Sequence, residues 1–229
     1  MLLFPVTLFY FSPVIPIEGA FESIINGSLF VFAALLVSGI FFGRLFCAYL
    51  CPGGGLQECA FLVQSKAPKK GRRYYIKYIV CIAMIAATVI VHVLNGQPVE
   101  VDFFYLTMYG VSVSSIDYYV VYYGIILLIL LPAFIAGKRA FCHYICWMAP
   151  LMITGRKIGR LFGLPGIYIL YSKEKCTMCK RCASVCPMSL GLDEITINGA
   201  ITRPECIQCG SCVDSCPQKS LSYKMGRGR

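Results

Sequence analysis

The chain has 229 residues, of which 58% are hydrophobic and only 14% charged, where soluble domains run at about a quarter charged. Such a chain cannot coat its own surface with polar groups, which argues against an ordinary soluble globule and for a surface that faces lipid. The net charge of +10 would suit a nucleic-acid binder, but all 21 Lys and Arg lie at or after Arg44, seven from Arg44 to Lys77 and fourteen from Lys138 on. That clustering reads as membrane topology, and no nucleic-acid partner is expected.

Four apolar stretches are candidate spans. The first, residues 1–17, is broken by Pro5, Pro13 and Pro16 and is short, since a span needs about 17–25 residues; it predicts a bent helix. No basic segment precedes it, so a cleaved secretory leader is not expected. Further spans are predicted at about 24–42, 75–94 and 119–136. Glu18 and Glu22 separate the first two, and Glu100, Asp102 and Asp117 separate the last two, with no Lys or Arg in either connection. Residues 43–74 and everything after Gly137 are basic. By the positive-inside rule these basic segments and both termini face the cytoplasm, as in a prokaryotic inner membrane.

Smaller features along the chain have local readings. Gly53-Gly54-Gly55 lacks the Lys and Ser/Thr of a phosphate loop and predicts a flexible exit from the cysteines before it. The run from Lys66 to Arg73 reads as topology rather than as a lipid or nucleic-acid site. Tyrosines at 74, 75, 78, 118, 119, 122 and 123 fit an aromatic belt. Cys59 and Cys81 have no matching partner, and Cys81 reads as packing. His92, at the outer end of the third span, is a candidate quinone contact or a structural histidine. His143 lies on the opposite side, so the two histidines cannot share a haem, and none is expected.

The membrane part contains a repeat. Arg44-Leu-Phe-Cys47-Ala-Tyr-Leu-Cys51 matches Arg139-Ala-Phe-Cys142-His-Tyr-Ile-Cys146, 95 residues on. Two helical hairpins related by an axis along the membrane normal are predicted. Residues i and i+4 share one helix face, so Cys47 with Cys51, and Cys142 with Cys146, are candidates to hold an additional iron or iron–sulfur centre. The bland alternative is that they are small buried apolar residues. The first pair ends Cys51-Pro52 but the second ends Cys146-Trp147.

A second repeat closes the chain: Cys176-x-x-Cys179-x-x-Cys182-x-x-x-Cys186-Pro187 recurs as Cys206-x-x-Cys209-x-x-Cys212-x-x-x-Cys216-Pro217. Between them Asn198-Gly199 marks a tight hairpin within 195–202. Zinc sites favour two separated Cys-x-x-Cys pairs, and disulfides do not persist in a reducing cytoplasm. Three thiols at every third position plus a distant Cys-Pro suit a four-iron cubane, with the fourth ligand crossing to the other cluster. Cys176, Cys179, Cys182 and Cys216 then form one set, and Cys206, Cys209, Cys212 and Cys186 the other. The expected fold is an all-α membrane domain over 1–172, of about four helices in two parallel-repeat hairpins, and a small α+β two-cluster ferredoxin-like domain over 173–229.

Gly43-Arg44-Leu45-Phe46-Cys47 through Cys51-Pro52, the second Arg-x-Phe-Cys pair and the two trailing motifs together resemble the membrane-bound four-iron cluster proteins that include NapH, CcoG and the membrane part of NosR. The resemblance covers nearly the whole chain and implies electron transfer at the cytoplasmic membrane, between a quinol pool and a partner reductase or biosynthetic system. The expectation is an electron-transfer subunit with two [4Fe-4S] clusters, membrane lipid around it and redox partner proteins, rather than a stand-alone enzyme with a substrate pocket. The alternative is a membrane assembly factor that uses the Cys47/Cys51 and Cys142/Cys146 thiols in maturing another metalloenzyme. A redox sensor has no specific support.

Overall fold

The computed structural model describes residues 7–61, 63–69, 71–95, 100–191, 199, 201 and 203–227. The first apolar stretch does not form a long helix among them. It holds a 3-10 turn, Phe9–Phe11, and an eight-residue helix α1, Val14–Phe21. Pro13 and Pro16 explain the break, because proline is tolerated in a first helical turn but not deeper. Helix α2, Gly27–Phe42, starts where the Asn26 side chain accepts the Leu29 N–H at 3.1 Å. It ends at Gly43, whose φ of +57° suits glycine best.

A short helix α3, Leu45–Tyr49, carries Cys47, and Cys51 lies between it and α4, Pro52–Phe61. Gly53, Gly54 and Gly55 are therefore buried helix residues and not the flexible exit expected from their composition. Pro52 opens the helix at the position that has no N–H bond to lose, and a side chain at Gly53 would already touch Ile129. A 3-10 turn at Arg72–Tyr75 leads into α5, Ile76–Asn95. Helix α6, Tyr118–Ala136, ends at Gly137 with φ +107°, where a Cβ would meet the Lys66 carbonyl oxygen at 2.0 Å. Helix α7, Ala140–Tyr144, then carries Cys142, and Cys146 lies between it and the next helix.

Among the described residues two helices are long and apolar enough to cross a membrane, Arg72–Asn95 and Tyr118–Ala136. Most of their surface is not covered by protein: Ile82 is 66% exposed, Val93 75% and Ile135 71%. Helix α2 is apolar but has 16 residues. The four-span expectation thus meets two long helices, one shorter apolar helix and the broken first segment. At one end, strand β1, Ile24–Asn26, pairs in parallel with β2, Glu100–Asp102, so both acidic connections meet. A small antiparallel pair, β3 (Thr107–Met108) and β4 (Ser112–Val113), lies beside them.

An element absent from the sequence reading is α8, Met148–Leu161. It packs tightly against α2, since a Cβ on Gly155 would stand 2.1 Å from the Leu36 carbonyl oxygen and one on Gly159 2.7 Å from that of Ile40. This is the close approach that a Gly-x-x-x-Gly spacing permits. Beyond it, β5, Gly166–Tyr171, pairs antiparallel with β6, Leu221–Gly226. Strand β5 lies before the 172/173 division drawn from sequence, yet pairs inside the C-terminal unit. The single turns α9, Arg181–Ser184, and α10, Ser211–Asp214, follow the two Cys-rich loops. The hairpin expected at 195–202 falls outside the described residues except for Gly199 and Ile201, which bond to β5.

Candidate functional site

The two short helices superimpose their repeat on identical local bonding. In α3 both Leu50 and Cys51 direct their N–H to the Phe46 carbonyl oxygen, and in α7 both Ile145 and Cys146 direct theirs to that of Phe141. Each pair then abuts the start of a longer helix. The Cys51 sulfur accepts the Gly54 N–H at the start of α4, and the Cys146 sulfur accepts the Ala149 N–H at the start of α8. Both sulfurs sit at the positive end of a helix dipole, which favours a thiolate. Where the repeat departs from Cys-Pro, Trp147 is buried and donates its indole N–H to the Phe11 carbonyl oxygen at 2.8 Å. It thereby pins the broken first segment to the site.

Cys47, Cys51, Cys142 and Cys146 are all buried in one apolar cluster, and none forms a disulfide. Three of them line a pocket of about 330 Å³ with Trp147, Ile125 and Ile129. Gln57 of α4 donates to the Cys142 sulfur at 3.0 Å, while Cys47 lies 3.9 Å from the Met152 thioether of α8. Gln57 and Met152 are themselves 95 residues apart, in register with the cysteine repeat. Each copy therefore reaches across to the first cysteine of the other.

The two repeat arginines complete the surroundings. Arg139 donates to the Cys47 carbonyl oxygen at 3.1 Å and pairs with Glu58. Arg44 feels the charges of Cys47, Cys142 and Cys146. Both guanidiniums are buried, and Arg44 Nε and Nη2 and Arg139 Nε have no hydrogen-bond partner. Burial, then the neighbouring thiols, pushes Cys51 well up; burial also raises Cys146, and it raises Cys142 against the pull of Arg139. Among the described residues no three His, Cys, Asp or Glu converge closely enough for a single metal ion.

In the C-terminal unit the cysteines fall around two pockets. One, of about 320 Å³, is lined by Cys176, Cys179, Cys182 and Cys216. The other, of about 400 Å³, is lined by Cys186, Cys206, Cys209 and Cys212, with Cys182 at its edge. Burial raises Cys206 to about 11 and Cys212 to about 12, whereas the Ser220 hydroxyl and backbone N–H groups lower Cys216. Left-handed residues Met178, Lys180, Gln208 and Gly210 curl the loops so that N–H groups turn toward sulfur.

The unit docks on the end of the helices that carries both cysteine pairs, and Glu205 is its anchor. It pairs with Arg44 at 3.1 Å and with Lys77, and stands 3.8 Å from His143. Arg44 and Lys77 are almost wholly buried. The arginine, lysine and histidine lower the Glu205 carboxyl against the opposing effect of burial, so it stays charged. Tyr49 donates to the Cys209 carbonyl oxygen at 2.9 Å. Arg44 therefore stands between two cysteine sets, since its charge also reaches Cys206. Sequence reasoning missed Glu205, Gln57 and Met152; only the 95-residue register could have flagged the last two. Cys59 is exposed and Cys81 buried apart from these sets. His92 keeps both ring nitrogens buried without a partner, and His143 stacks on Tyr74 at 5.1 Å.

Comparisons with known proteins agree with this layout. A family model described as a 4Fe-4S binding domain matches residues 26–70 and 119–165, one copy of the repeat each, and a 4Fe-4S dicluster domain matches 168–217. An uncharacterised protein of Methanocaldococcus jannaschii is 26% identical over 82% of this chain and 75% of its own length. YccM of Escherichia coli, whose name calls it an electron transport protein, is 24% identical over 89% of this chain and 57% of its own. The regulatory protein NosR of Stutzerimonas stutzeri is 29% identical over 80% of this chain but only 25% of its own. No solved structure matches. With 4Fe-4S domains matched over 26–70, 119–165 and 168–217, the chain belongs to the 4Fe-4S ferredoxin-like family of NosR- and NapH-like proteins.

Proposed function

We propose that this chain is a membrane-bound electron-transfer subunit with two [4Fe-4S] clusters on its C-terminal unit and a third iron–sulfur centre on the helices. Cys176, Cys179, Cys182 and Cys216 hold one cluster, and Cys206, Cys209, Cys212 and Cys186 another. Cys47, Cys51, Cys142 and Cys146 hold the third. The observation that carries this reading is that twelve cysteines gather into three neighbouring sets, with Cys182 bordering two tail pockets and Arg44 between the tail and the helices. Bound clusters supply one-electron chemistry at potentials set by burial and by hydrogen bonds to sulfur.

The protein's own part is to hold these sets in fixed order and to keep water from the inner one. The tail set with Cys179 lies at the surface, where Met178 is 63% exposed, and is the face offered to a soluble redox partner. The bare apolar faces of α5 and α6 support a bilayer around the helices, and the distribution of Lys and Arg supports the tail facing the cytoplasm. The unpartnered nitrogens of His92 support a quinone contact at the far end of α5. The relatives named for electron transport and regulation fit a role within a larger complex.

The test is iron and acid-labile sulfide analysis, with low-temperature spin resonance, on protein purified without oxygen. About twelve irons per chain are expected, falling to about eight in Cys142→Ser/Cys146→Ser. Fewer than about eight in the unaltered protein would overturn the two-cluster tail. An assembly factor would instead leave Cys47, Cys51, Cys142 and Cys146 open to alkylation in the protein as purified.

A further inference from the structure

Beside the cysteine sets lies a cleft of about 590 Å³ between α8, β5 and the loop before Cys206. Among the described residues its wall contains Arg44, Arg156, Lys157, Arg160 and Arg203, and no carboxylate. Positions 156, 157 and 160 bring three cations to one face of α8, and like charges one turn apart repel. Among the described residues no ion pair involves Arg156, Lys157 or Arg160. Arg156 spends one N–H on the Ile40 carbonyl oxygen at 3.1 Å. Burial and the charge of Arg160 pull Arg156 below the usual arginine range.

Arg44 adds the decisive detail. It is only 2% exposed, it lines this cleft, and its Nε and Nη2 have no partner even though Nη1 is paired with Glu205. A concave surface that gathers several cations, three of them on α8 without an ion pair among the described residues, suits an anion. Planar guanidinium forks match phosphate oxygens well.

We infer that the cleft between α8, β5 and the Cys206 loop binds a phosphate-bearing anion. The same chemistry could come from an acidic phospholipid headgroup or from a free phosphate compound. The surroundings favour the lipid. Leu161 and Phe162, next to Arg160, are 82% and 73% exposed, and Phe41 and Phe42 at the end of α2 are also exposed. Apolar side chains beside a basic helix face are the pattern of an element seated at a bilayer surface. The cleft borders the tail set at Cys206, whereas its cations on α8, Arg156, Lys157 and Arg160, belong to no cysteine set.

The test uses the full-length, cluster-loaded protein in neutral detergent. Thermal midpoint and native mass spectrometry are read with micelles carrying phosphatidylglycerol, with phosphatidylcholine, and with inorganic phosphate, each against chloride at equal ionic strength. Phosphatidylglycerol is expected to raise the midpoint and remain as an adduct, and Arg156→Gln/Arg160→Gln should require roughly tenfold more of it. Binding of inorganic phosphate without the lipid would assign the site to a soluble phosphate compound. Equal retention of phosphatidylcholine, no effect of either phosphate source, or undiminished binding by the double variant would overturn the proposal. So would a double variant whose only change is a shifted cluster potential, because the cations would then serve the sulfurs alone. If the double variant loses its clusters, Lys157→Gln, on the same face, gives the same reading with a smaller loss.

Discussion

At the scale of single residues, two side chains outside the cysteine motifs set the character of the inner site. Gln57 donates to Cys142, whereas its repeat-mate Met152 offers Cys47 only a thioether. Donation to a ligand sulfur stabilises the more negative, reduced state. Gln57→Leu removes about 1 kcal/mol of that preference, so the inner centre should titrate roughly 40 mV lower in a spin-resonance redox titration. The tail clusters should not move. Glu205 acts through charge instead. Glu205→Gln leaves Arg44 and Lys77 as buried cations without a counter-charge, which costs about 3 kcal/mol when one partner of a buried pair is removed. The expected outcome is a lower thermal midpoint and a tail that becomes accessible to protease, while the tail cysteines keep their iron.

Among the elements, α8 couples packing to the site. Its glycine face lies against α2, and its first turn supplies the N–H that reaches Cys146. Gly155→Ala forces a Cβ into the Leu36 carbonyl and must push the helices apart, at about 1–3 kcal/mol for overpacking. Because Cys146 moves with α8, the substitution should cost iron at the inner site before it costs iron in the tail, which iron analysis of the purified variant measures. The repeated pattern of helix, left-handed glycine, arginine and short cysteine helix has a simple cause. Gly43 and Gly137 reverse the chain at a helix end, and the turn after each aims two sulfurs inward. Trp147 replaces proline in one copy because that copy also anchors the 3-10 turn at Phe9–Phe11.

For the whole molecule, the cysteines give a natural topology probe. Cys59 is exposed and stands apart from the three sets, while Cys81 is buried. In sealed vesicles of known orientation, an impermeant maleimide should label the intact protein once, at Cys59, and from the side that also exposes the tail to protease. Stripping iron should open the tail cysteines from that same side. Labelling of Cys59 from the opposite side would contradict the orientation drawn from charge.

The amino-acid sequence alone determined what depends on spacing and on local composition. Cysteines at every third position, the distant Cys-Pro and the 95-residue repeat mark out the candidate ligands. Uninterrupted apolar runs name α5 and α6, because period and length are properties of a short segment. The prolines of the first stretch were visible too, but whether they bend a helix or break it depends on what packs around them. Only the tertiary structure decided that Gly53–Gly55 is helix rather than loop, that α8 exists, and that β5 belongs with β6. It also decided that Gln57 meets Cys142 and that Glu205 gathers Arg44, Lys77 and His143. Those pairings join residues far apart in the chain, and no local pattern encodes the buried partner that makes a charged or glycine-rich segment stable where it lies.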